Sequence, residues 1–199
     1  FYSAFQQQRA LDKIRNEKGV ELLKLAIIAI DNKSNNIAKD ILQYIVKTYP
    51  QESIYIEAQQ QLIEIKQQLV VSIYPVDTSK INRLIIDYEE LFEKSYAFKQ
   101  KIEIKYKQIE LNAFYLHNNG KAIEDLESII SRGGMSSDQM ARFQLLLADI
   151  YLFYGMVGEA SLLLFKVERR LKTGTYAEQA KLKNSMIYYY TGEFGLAQS

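Results

Sequence analysis

The chain has no cysteine, one histidine, two prolines and nine glycines among its 199 residues. Without cysteine there is no disulfide, no thiolate nucleophile and no cysteine-ligated zinc, although this absence does not fix the compartment. A single histidine, His117, has no partners at a spacing that would make a Ser-His-Asp site or a ligand cluster. Its place near the end of a helix predicts a favourable meeting with the carbonyl end of the helix dipole. So few prolines and glycines leave few natural breaks, which favours long helices over many short strands. Neither sign of charge dominates, with 25 basic against 24 acidic residues, so no global field draws the chain to nucleic acid or a membrane. The most apolar run, LLKLAIIAI, is nine residues long and contains Lys24; a membrane span needs about 18. The chain begins with Phe and has no signal-peptide layout, which predicts a piece of a longer protein.

What is present is helical period. Ile37, Ile41, Leu42, Ile45 and Val46 form one apolar stripe, and Ile81, Leu84, Ile85, Tyr88, Leu91 and Phe92 form another. The stretch IEIKY at 102–106 alternates like a strand but lies within a longer helical pattern. Short polar connections separate the periodic segments. Ser136 with Gln139 reads as a capping box, Thr175 with Glu178 as a second, and Asp77 as a third cap. The reading predicts eleven helices, at roughly 1–16, 20–31, 35–48, 51–73, 78–94, 97–117, 121–131, 137–154, 157–171, 175–190 and from 193 onward. Helices joined by short links pack antiparallel on their neighbours.

The pattern repeats. Tyr151, Gly155 and Ala160 return as Tyr188, Gly192 and Ala197, each 37 residues on. Ala38, Leu42 and Ile45 match Ala122, Leu126 and Ile129, and these match Ala160, Leu164 and Val167. Such a period marks stacked helix pairs that cannot bury their apolar faces alone.

The segment LADIYLFYGMVGEASLLLFKV, 147–167, resembles a tetratricopeptide repeat through Leu147, Ala148, Tyr151, Gly155, Ala160 and Leu164. An earlier segment is similar through Leu25, Ala26, Ala38, Leu42, Ile45 and Pro50, but has Ala29 where an aromatic is usual and no turn glycine. The resemblance implies an all-α fold: a right-handed superhelical stack of antiparallel helix pairs over 1–199. Recognisable units are expected at about 19–52, 103–136, 139–174 and 178–199, with an irregular pair at 53–95. It also implies a protein-interaction scaffold that binds a partner protein or peptide, without a catalytic site, cofactor or metal. A structural spacer within a larger assembly is the alternative, and general similarity points to a bacterial cell envelope or periplasm.

Other motifs give little chemistry. Glu89, Glu90 and Asp87 alternate with basic residues on a solvated face. RGGMSS and NNGKA lack the phosphate-loop spacing and read as turns. Lys99, Lys101, Lys105 and Lys107 with Tyr106, and the knot Arg169, Arg170 and Lys172, are interrupted or flanked by Glu103, Glu110 and Glu168. Nucleic-acid binding, which wants a continuous basic stripe, is therefore not expected.

The recurring aromatic pairs are the sharper feature: Phe114 and Tyr115, Leu152 and Phe153, Tyr189 and Tyr190, 38 and 37 residues apart. In the family resembled, that helix face lines the inner groove, where Arg142, Leu145 and Asp149 would join Gln179, Leu182 and Met186. The competing reading makes the aromatics inter-repeat packing. The chain stops within the last unit, which predicts that the natural protein continues and that residues 193–199 are frayed. Alternatively another copy covers the last pair, with Ile187, Phe194 and Leu196.

Overall fold

The computed structural model describes the backbone of residues 2–51 and 53–197, and the side chains of residues 7, 13–51, 53–193 and 195–197. Every regular element among them is an α-helix: α1 (Tyr2–Asp31), α2 (Asn35–Thr48), α3 (Tyr55–Val71), α4 (Thr78–Lys94), α5 (Phe98–Phe114), α6 (Asn119–Arg132), α7 (Ser137–Phe153), α8 (Val157–Leu171), α9 (Thr175–Tyr190) and α10 (Phe194–Ala197). The alternating stretch 102–106 lies inside α5. Two compact units divide the chain, 1–105 and 106–199, with the boundary inside α5.

In the first unit α1 packs on α2, α2 on α3 and α3 on α4. The sequence predicted a break near residue 19, but α1 runs through it. Gly19 is a point of close approach rather than a turn. A Cβ there would lie 2.5 Å from Ile54 Cδ1 and 3.5 Å from the Tyr49 ring, so a larger residue would push the helix off its neighbour. Leu23 and Ala26 of α1 meet Ala38, Leu42 and Ile45 of α2 and Ala58, Leu62 and Ile65 of α3 in one core. Burying a leucine or isoleucine fully stabilises the fold by roughly 1.5–3 kcal/mol each. On α4 the stripe Ile81, Leu84, Tyr88 and Leu91 is buried, as its period predicts. The Tyr88 hydroxyl donates to Gln67 at 2.8 Å, satisfying the one polar atom this large side chain takes inside.

In the second unit α6 packs on α7, α7 on α8, α8 on α9 and α9 on α10, with α7 also touching α9. The repeated triplet works here as it does in α2. Ala122 and Leu126 are fully buried, as are Ala160, Leu164 and Val167, while Ile129 is half-buried. Helix α7 is enclosed nearly all round by its neighbours and accordingly carries apolar residues on most faces, from Ala141 to Tyr151. Polar bonds fix the register between helices. Tyr151 donates to Glu127 at 3.0 Å, Arg170 to Gln144 at 2.8 Å, and Ser161 to the buried Asn184 at 3.0 Å.

The turn from the first to the second helix of a pair is a shared device. Gly155 and Gly192 take φ of 76° and 83°. The amides of Met156 and Gly155 donate to Tyr151 and Leu152, and those of Glu193 and Gly192 to Tyr188 and Tyr189. These paired bonds are a Schellman closure, which needs a left-handed residue. Between α1 and α2 the same two bonds form, with Lys33 at φ 57° in the glycine's place.

His117 also takes positive φ, 54°, after α5, but the closure there is wider, with the Asn118 amide donating to the Asn112 carbonyl six residues back. His117 therefore lies three residues beyond the end of α5, not in the last turn where the dipole reading put it.

Two of the three caps form. Asp77 accepts from the amides of Ser79 and Lys80, and its carboxyl is held below the usual carboxylate range, by the Lys80 amide above all. Ser136 and Gln139 make both bonds of a capping box. Thr175 does not cap: Gly174, at φ 99°, is the capping residue, so Thr175 is already the first helical residue. At the other end α10 has four residues. Ile187 is buried rather than displayed, Leu196 is exposed, and the Phe194 side chain lies outside the described residues, as do residues 198 and 199.

Candidate functional site

First helices of successive pairs lie side by side in the second unit, and their facing surfaces enclose a recess of about 510 Å³. Positions three and four apart on a helix share a face, so Arg142, Leu145 and Asp149 of α7 project together, as do Gln179, Leu182 and Met186 of α9. All six line the recess, joined by Tyr106 of α5, Leu146, Tyr176 and Lys183.

Its floor and rim differ. Leu145 and Leu146 are buried, whereas Leu182 is 62% and Met186 49% exposed. The Arg142 guanidinium sits 4.0 Å from the centre of the Tyr106 ring, a cation–π contact that fixes both side chains. Tyr106 also meets Phe143 edge-on at 5.4 Å. Burial, reinforced by the charge of Glu110, pushes the Tyr106 hydroxyl above its ordinary range and keeps it a hydrogen-bond donor. Across the recess Lys183 pairs with Asp149, joining α9 to α7. The arrangement offers apolar area framed by fixed polar groups of both signs. Such a surface can hold a peptide.

The recurring pairs Phe114 and Tyr115, Leu152 and Phe153, and Tyr189 and Tyr190 do not line this recess; they fall about one helical turn beyond it, toward the loops. Phe153 has Phe114 edge-on at 5.4 Å, Tyr154 edge-on at 5.1 Å and the His117 ring parallel at 6.0 Å. Tyr189 and Tyr190 form an edge-on pair at 5.6 Å. The contact of Phe114 with Phe153 joins successive first helices, which is inter-repeat packing. Even so, Phe153 is 52% and Tyr190 78% exposed, so neither is core. Tyr115 and Leu152 are half-buried.

Sequence reasoning did not place four lining residues. Tyr106 sits within a lysine-rich run that hides it, and Tyr176 in a helix's first turn. Leu146 and Lys183 each follow a residue of the expected face. In that lysine run, Lys105 pairs with Glu89 at 3.1 Å and Lys107 with Glu110 at 3.4 Å, while Lys101 and Lys105 lie over the Phe92 ring. Among the described residues no group of three His, Cys, Asp or Glu side chains could hold a metal ion, and no helix is long and apolar enough to cross a membrane.

Compared with known proteins, the sequence matches no family model and no curated protein. Its fold matches solved structures. A tetratricopeptide repeat protein from Parabacteroides merdae superposes with a TM-score of 0.61 at 13% identity, over 91% of this chain and 63% of that one. This chain thus spans less than two thirds of the Parabacteroides protein. A putative kinesin light chain from Podosopora anserina, with nearly identical TPR-like repeats, gives 0.66 at 17% identity over 92% of this chain and 91% of that one. BtubC (BKLC) from P. vanneervenii gives 0.67 at 14% identity, covering 97% and 81%. The fold is therefore an all-α, helix-pair repeat solenoid of the tetratricopeptide-like kind.

Proposed function

We propose that the second unit binds a segment of a partner protein in the recess between α5, α7 and α9. The observation that carries this reading is the exposure of Leu182 and Met186 beside a fixed polar frame. A folded chain that leaves large apolar side chains at the mouth of a recess, ringed by polar residues, has the layout of a binding surface. Arg142 and the pair of Lys183 with Asp149 orient the occupant, and Leu182 and Met186 supply contact area. An amphipathic helix or an extended segment can satisfy both. The protein acts by holding, not by chemistry.

Selection of binders from a displayed peptide library, followed by affinity measurement, tests this. Peptides bound in the recess lose at least ~10-fold in affinity when Leu182→Asp and Met186→Asp are combined. The melting temperature of the variant stays near that of the parent, because both positions are exposed. If the double variant binds every selected peptide as the parent does, the recess is not the site.

A further inference from the structure

The first unit carries a second recess, of about 380 Å³, in a different place relative to its helices. It is formed by α3, the connection 72–77, the start of α4 and one residue of α2, so it opens beside an interhelical loop rather than between first helices. Leu69, Val70 and Leu84 make its apolar wall, and Ile73, 64% exposed, forms its lip. The next residue, Tyr74, is 93% exposed, which adds a large aromatic side chain to the same loop.

Charge is unevenly placed around it. Four cations, Lys39, Lys66, Lys80 and Arg83, face two carboxylates, Asp77 and Asp87. Lys66 is paired with Asp87 at 2.8 Å and Lys80 with Asp77 at 3.5 Å. That leaves Lys39 and Arg83 without an ion pair among the described residues, in a chain whose total charge is only +1. An apolar cleft with two uncompensated cations at its edge is complementary to an apolar group that carries negative charge beside it. A guanidinium suits a carboxylate in particular, through two parallel hydrogen bonds.

We infer that this recess is a second docking site, for an acidic peptide segment that inserts a large apolar side chain between Leu69 and Leu84 and places a neighbouring carboxylate on Arg83. Lys39 adds long-range attraction that speeds encounter, and Ile73 closes over the inserted side chain. The site is separate from the recess of the second unit. It recognises acidic, apolar sequence, whereas the other frames its occupant with both signs of charge.

The test uses the full chain and a displayed library of random peptides, with each selected peptide then measured against single variants. A class of peptides pairing Asp or Glu with a large apolar residue is expected. Its affinity should fall at least ~10-fold in Arg83→Glu, less in Lys39→Glu, and markedly at high salt. Ile73→Ser should weaken the same peptides without changing salt dependence. Because Arg83 and Ile73 are exposed, melting curves of these variants should overlay the parent's. The Leu182→Asp, Met186→Asp variant should leave this class untouched, so failure of one site is distinguishable from failure of the other. A selection that yields no peptide sensitive to Arg83→Glu overturns the inference. So does a class that is sensitive but carries no acidic residue.

Discussion

His117 and Gly155 correspond across the repeat, 38 residues apart, and both follow a first helix at positive φ, 54° and 76°. Lys33 and Gly192 also take positive φ after first helices of other pairs, at 57° and 83°. Each turn demands a left-handed residue, and only two of these four are glycine. A side chain there costs about 1–2 kcal/mol, offset partly by the greater freedom glycine gives the unfolded chain.

Lys33→Gly is therefore expected to raise stability, by roughly 0.5 kcal/mol, and Gly192→Ala to lower it by about 1 kcal/mol. Chemical denaturation of both variants checks the opposite signs. His117→Gly should gain less than Lys33→Gly, because it also gives up the stacking of the imidazole on Phe153.

Gly19 and Ile54 should be coupled. Gly19→Ala adds a methyl 2.5 Å from Ile54 Cδ1, and Ile54→Val removes that carbon. Each change alone is expected to destabilise the fold by about 1 kcal/mol, through overpacking in one case and lost burial in the other. Made together, they should lose at least ~0.5 kcal/mol less than the sum. A double-mutant cycle that closes at zero would show that α1 does not meet Ile54 there.

The two cap positions should behave oppositely. Ser136→Ala breaks a capping box and is expected to cost about 1 kcal/mol. Thr175→Ala should fall within ~0.5 kcal/mol of the parent, since its side chain makes no cap bond.

Tyr151 gives a pH dependence. Burial first, and its bond to Glu127 second, push its hydroxyl from the usual 10.0 up to about 12. The folded state thus holds the proton more tightly than the unfolded state. Its contribution is complete below pH 10 and is lost as pH rises through about 12. Denaturation midpoints of the parent and Tyr151→Phe should therefore converge across that window, with the parent falling more steeply. Parallel curves would contradict the raised value.

Most of the fold was legible because it is written in short-range periodicity. The triplets of α2, α6 and α8 bury the side of the helix that their spacing predicts, and glycine at 155 and 192 marks two turns. What could not be read came from long-range contact or single-residue geometry. Gly19 has the composition of a break but serves a close approach of α1 to the connection after α2, which only the position of Ile54 reveals. Thr175 has the right residue type for a cap, yet Gly174 beside it takes the geometry. The polar stretches DNKSNN and HNNG mark the connections at Lys33 and His117, but neither residue type advertises the positive φ it takes. In the candidate site, helical spacing grouped Arg142, Leu145 and Asp149 on one face and Gln179, Leu182 and Met186 on another, and the family resemblance implied that the two faces share a groove. Neither was enough to show that the aromatic pairs end one turn away, or that Tyr106 and Lys183 complete the lining.

A partner is expected to lie against the recess of the second unit. Leu182 and Leu162 are almost equally exposed, at 62% and 65%, but Leu182 lines that recess on α9 and Leu162 stands on α8 outside it. The most direct measurement places a photo-crosslinking amino acid at each position in turn, in the full-length protein in its own cells, and compares the covalent adducts. Crosslinking of a partner from position 182 and not from 162 is the predicted result. Equal adducts from both positions, or adducts from 162 alone, would contradict it.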